Sequence, residues 1–170
     1  MRTAKNFFTT ARAIQADVAR ELGPPEEGLL SGSQVVVSRS LIRNTRGYIE
    51  RISNQANGAY ENGWYDACAV MTRRLIETLI IESFEHHKID SKIKNAQGDF
   101  FFLGDLVECC LKEPTWNLGR NCRQALPKLK NIGDKSAHSR RFIAHRSDID
   151  LLLPDIRTVV QELLFIANLK

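Results

Sequence analysis

Apolar residues recur along the chain at intervals of three and four, the spacing of helices that bury one stripe. Phe7, Phe8, Ala11, Ile14, Val18 and Leu22 make a first stripe, stopped by Gly23-Pro24-Pro25 and followed by a Gly/Ser/Glu-rich stretch to Ser33. Residues 1–33 are therefore expected to form an N-terminal helix and linker, ahead of one domain over 34–170. Val37, Leu41, Thr45, Tyr48, Ile52, Ala56 and Ala59 predict a long second helix. Ser33 or Ser38 is placed to cap it, and Asn62-Gly63 to end it, where glycine can take a left-handed turn.

The third helix, Trp64 to about Glu85, carries apolar residues on two neighbouring faces. Trp64, Cys68, Met71 and Leu75 lie on one, and Tyr65, Ala69, Ile76 and Ile80 on the other. So wide an apolar surface predicts a central helix packed on several sides. A polar loop from His86 to Asp99, with His86-His87 read as solvated, leads to a shorter helix over Phe101 to Leu111. Leu118, Cys122, Ala125, Leu129 and Ile132 outline a fifth, terminated by Gly133 and kinked or split at Pro127. Ile149, Leu152, Ile156, Val159, Leu163 and Ile166 predict a last helix, capped by Ser147 or Asp148 and disturbed in its first turns by Pro154. No segment alternates with period two. The expected fold class is all-α, an antiparallel helical bundle of four to five main helices with an extra N-terminal helix.

Composition changes this picture little: 170 residues, 43% hydrophobic and 26% charged, suit one domain with a real core. There is no apolar run of membrane-spanning length and no secretory signal, so no membrane association is expected. Cys68, Cys109, Cys110 and Cys122 form no C-x-x-C pair and stand near no His cluster. They read as reduced core thiols of a cytoplasmic protein, with no structural metal.

Charge changes the picture more. Arg120 to Arg146 holds eight basic residues (Arg120, Arg123, Lys128, Lys130, Lys135, Arg140, Arg141, Arg146) against Asp134 alone, a local +7 in a chain whose remainder is −3. Such an excess suits a phosphate-bearing partner, or else a solvated cationic face. Within it, His138 and His145 are candidate general acid–base groups, and Arg140 and Arg141 candidate cations for a charged transition state. Cleavage of RNA through its own 2′-hydroxyl asks for these two functions and no metal. The structural alternative for His138 is to cap backbone carbonyls at a tight corner. In the central helix Arg73 and Glu77 are four apart and can pair, while Arg74 and Glu77 are candidates to face a cleft or a second subunit. Lys130 and Lys135 join Arg73, Arg74 and Glu77 as candidate substrate- or partner-binding residues. No phosphate-loop, dinucleotide, zinc-protease or nucleophile-elbow pattern is present, so no cofactor and no metal are expected.

"ANGAYENGWYDACAVMTRRLIETLI", then "LKNIGDKSAHS", then "DIDLLLPDIRTVVQELL" resembles, in that order, the HEPN superfamily of bacterial α-helical domains. Within it the chain is most similar to a family named only as a domain of unknown function, found alone or joined to restriction-type enzymes. The resemblance covers roughly Val37 to Leu169, and Arg73-Arg74-x-x-Glu77 and the Gly133-x-x-x-Ala137-His138 corner carry it. It implies a helical bundle that forms a homodimer with the His corner near the dimer cleft. In active members an R-x4–6-H motif makes a metal-independent endoribonuclease of toxin and anti-phage systems. Here the arginine window before His138 falls on Asn131, Ile132 and Gly133, with Lys130 just outside it. Arg140 to His145 has the spacing but lies beyond the corner. The resemblance thus implies a module binding RNA, a nucleotide, or an antitoxin or other protein. The alternatives are a ribonuclease, with Arg74 and Glu77 orienting the His/Arg pair, and a structural dimerisation domain.

Overall fold

The structure, a computed structural model, describes Thr10 and residues 35–170, so the expected N-terminal helix, its linker and a Ser33 cap lie outside the described residues. Among the described residues there are seven α-helices and no strand: α1 (Arg39–Ile42), α2 (Gly47–Glu61), α3 (Tyr65–His86), α4 (Leu103–Lys112), α5 (Arg120–His138), α6 (Arg146–Asp150) and α7 (Leu153–Ile166). A 3-10 turn spans Asp90–Ile93. No helix among them is long and apolar enough to cross a membrane.

α3 takes the central place its wide apolar surface predicts. α2, α4, α5 and α7 all pack on it, and Cys68, Ala69, Leu75, Ile76, Leu79, Ile80 and Phe84 are buried. Tyr60 stacks edge-on against Tyr65 while Tyr48 donates to Glu82, so α2 runs antiparallel to α3. Phe84 meets Trp116, just before α5, and Arg73 meets Asp134 near its end, so α5 is antiparallel as well. α7 runs parallel to α3, with the His87 ring donating to the Ile166 carbonyl at 3.2 Å. Four main helices, two up and two down, make the all-α bundle.

The departures from expectation are local. The long second helix breaks between α1 and α2, because Asn44 adopts φ 65° and its N–H is taken by Glu50 at 2.8 Å. Ser38 does stand at the N-cap of α1, but its hydroxyl bonds that of Ser40 rather than the backbone. The turn after α2 is as expected, with Gly63 at φ 75°. Phe101 and Phe102 precede α4 rather than begin it, since the Phe101 N–H pairs with the Ile93 carbonyl. His87 is not solvated but half-buried against Trp116. Pro127 does not split α5. Pro154 does divide the C-terminal helix, lying in the first turn of α7 after a two-residue break from α6.

The largest departure concerns Gly133, which is not a terminator. It is buried inside α5, which continues to His138. A Cβ built on Gly133 would stand 2.6 Å from the Cβ of Arg73. At this glycine α3 and α5 pack with no room for a side chain, and the Gly-x-x-x-Ala-His stretch is the end of a helix, not a corner.

Candidate nucleic-acid interface

The eight basic residues of the cationic segment divide once their partners are known. Lys128 pairs with Asp155 at 3.1 Å, Lys130 with Asp134 at 2.7 Å and Arg146 with Asp150 at 3.4 Å. Arg123 donates to the carbonyls of Leu118 and Leu111 at 3.1 and 2.8 Å. Arg120 starts α5 at the far end of the bundle. Lys135, Arg140 and Arg141 remain, exposed, with no carboxylate partner among the described residues and all within one turn or loop of each other. Four of the eight are thus engaged by carboxylates or carbonyls, and three of the other four lie at one end.

That end is built by a short anchored loop. Ser139 follows α5, its N–H bonded to the Lys135 carbonyl and its hydroxyl accepting the Phe142 N–H at 3.2 Å. The Lys135 ammonium lies 5.8 Å from the centre of the Phe142 ring. Ala144 is buried, and its N–H donates to the Asp66 carboxylate in the first turn of α3 at 3.0 Å. His145 stands at the N-cap of α6, and its N–H donates to Asp148 at 2.8 Å. Asp148 therefore caps α6 from inside, by reaching back, rather than from the N-cap position itself. Arg140 and Arg141 occupy the tip between these anchors.

Of the candidate residues in α3, Arg73 is committed to structure. Its Nε donates to Asp134 at 2.9 Å, its Nη1 stands at 3.5 Å from Glu77, and its stem lies over Gly133. Burial alone would push the Asp134 carboxyl up, but hydrogen bonds from Lys130 and Arg73 outweigh it and hold the group below the usual carboxylate range. Partly exposed pairs of this kind contribute roughly 0.2–1 kcal/mol each, so the cluster sets helix register more than it adds stability. Arg74 is exposed on the outer face of α3. Arg73, Glu77 and Lys130 come together around Asp134, while Lys135, His138, Arg140 and Arg141 gather at the bundle end. Among the described residues no hydrogen bond or ion pair joins His138 to either arginine.

The hub role of Asp134 was open to sequence reading, since it stands four residues after Lys130 on one helix. Less legible is a latch beneath the loop, where Tyr60 donates to Asp150, which also pairs with Arg146. Burial, with the Asp150 carboxylate, pushes the Tyr60 hydroxyl up to about 12. The neutral phenol is thus the form the fold favours, and its stabilising contribution is complete below the ordinary tyrosine value of 10.0 and lost as pH climbs towards 12. Urea titrations across this range should show the stability gap between wild type and Tyr60→Phe narrowing; a constant gap would mean that Tyr60 ionises normally. Burial pushes the Cys68 and Cys110 thiols up to about 12 and raises Cys122 further, so these three stay protonated near neutrality.

Trp64 is the residue most misplaced by the pattern. Its helical spacing with Cys68 enrols it in the core, yet it sits outside the helix at the N-cap of α3, with φ −91° and ψ 71°, and it is exposed. The signal was the preceding Gly63, whose left-handed turn ends one helix and leaves the next residue outside the following one. Compared with known proteins, the chain matches no family model, no curated protein and no solved structure.

Proposed function

We propose that the chain is a helical nucleic-acid-binding module whose contact surface is the bundle end formed by the C-terminal turn of α5 and the loop after it. One observation carries this: Arg140 and Arg141 project from a loop anchored on both sides, with no carboxylate to neutralise them among the described residues. Two guanidiniums carried on an anchored backbone suit phosphate oxygens, which they can meet with paired donors. Lys135 and His138 have a structural use as well, because cations in a last helical turn offset the negative end of the helix dipole. Among the described residues Arg140 and Arg141 at the tip have no such use, and the reading therefore rests on them. The resemblance to HEPN domains agrees with an RNA partner and adds a homodimer to the proposal.

Binding of a labelled RNA should weaken steeply as salt rises. Arg140→Ala with Arg141→Ala should cost about tenfold or more, and should flatten the log–log salt slope by about 1.4 if each arginine neutralises one phosphate of a single strand. Anisotropy titrations at several salt concentrations measure both, and an unchanged slope would remove this loop from the interface. The RNA should remain intact in the presence of chelator. Cleavage that His138→Ala or His145→Ala abolishes would replace the binding module with a ribonuclease.

A further inference from the structure

Resting on that reading, we infer that Trp64 is a base-stacking platform that makes the cationic end selective for single-stranded nucleic acid. Trp64 is 64% exposed, so the core does not use most of its ring. It stacks on no ring among the described residues, whereas Trp116, the other tryptophan, is packed on Phe84 and donates its indole N–H to the Cys110 carbonyl at 3.2 Å. Its position is fixed relative to the arginine loop by a bond of independent origin. Asp66, two residues after Trp64, accepts the Ala144 N–H at 3.0 Å, and Arg141 lies three residues before Ala144. The neighbouring Ile143 is 65% exposed on the same loop. The backbone segments that carry the indole and the two arginines are thereby tied together.

The chemistry that uses such a pair is a strand whose bases are free. Phosphates meet the arginines while an unpaired base lies on the indole, and every base offers a π-face, so the selectivity is for strandedness rather than sequence. A duplex keeps its bases stacked inside and offers the indole nothing except at its ends. The exposed acid at this end, Glu61, has no ion pair among the described residues and opposes the strand by charge alone.

The probes are a labelled oligouridylate and a blunt duplex of equal length. Oligouridylate should bind more tightly than the duplex and should quench the tryptophan emission of the wild type. Trp64→Phe, in which Trp116 is the sole emitter, should retain binding and lose the quench. Trp64→Ala should weaken oligouridylate by about 5- to 150-fold, the equivalent of one lost base–aromatic stack, and leave the duplex nearly unchanged. Trp64 is exposed, so neither variant threatens the core. Equal affinity for both probes without quenching overturns the stacking role while leaving the arginine loop as a phosphate site. Absence of binding to either probe overturns both readings, and quenching by anionic phospholipid vesicles but not by oligouridylate overturns both in favour of a membrane surface.

Discussion

Alanine in place of Gly133 should lower the unfolding free energy by about 1–3 kcal/mol, and valine by more. Helix propensity alone argues the opposite, because alanine inside a helix is worth roughly 1 kcal/mol more than glycine. The packing geometry decides the sign. The added methyl meets the Cβ, Cγ and Cδ of Arg73 at 2.6–3.0 Å, and the first of these atoms moves only with the α3 backbone. Relief requires α3 and α5 to separate, which loosens the packing of the buried Leu75 and Leu129 beside the crossing. Urea midpoints of wild type, Gly133→Ala and Gly133→Val should therefore fall in that order. A midpoint for Gly133→Ala above wild type would show that the crossing yields and that propensity wins.

Removal of the Asn57 side chain should cost about 2–4 kcal/mol, because it orphans two backbone groups at once. Asn57, in the middle of α2, accepts the Val37 N–H and donates to the Val37 carbonyl, both at 2.9 Å. Val36 and Val37 are fully buried, although the segment that carries them is not helical. The amide therefore does for this stretch what a strand partner would do elsewhere, and it lets two valines join the core without unpaired polar atoms. Asn57→Ala should lower the denaturation midpoint accordingly. The Asn57→Asp variant keeps the acceptor and loses the donor near neutrality; its protonated carboxyl can donate again, so it should regain stability as pH falls. Equal stability of wild type and Asn57→Ala would show that water reaches Val37.

The sequence was most legible where one stripe of apolar residues decides the outcome. α3, α7 and the turn at Gly63 follow from spacing and from the single residue that tolerates a left-handed backbone. It was least legible where two local signals compete. Gly133 reads as a helix end because glycine usually serves there, and only the presence of Arg73 across the gap shows that the missing side chain is needed for packing. Thr45 and Tyr48 keep the helical register of the second helix, but Asn44 and Glu50 form a bond that interrupts it. For the candidate site, the local charge was visible in full while its division was not. Asp150, Asp155 and the carbonyls that occupy three of the cations lie outside 120–146, so no inspection of that segment alone separates structural from available charge.

The anchored loop between α5 and α6 also has a signature in time. Ala144 and His145 give their amide hydrogens to Asp66 and Asp148, whereas the Arg140 amide has no such acceptor among the described residues. Deuterium should therefore enter at Arg140 almost as fast as in a free peptide, and at Ala144 only when the first turn of α3 lets go. Exchange at Ala144 thus reports the opening of the central helix from its N-terminal end. A ligand that bridges the loop and α3 would slow it, which gives a residue-level readout of occupancy independent of affinity.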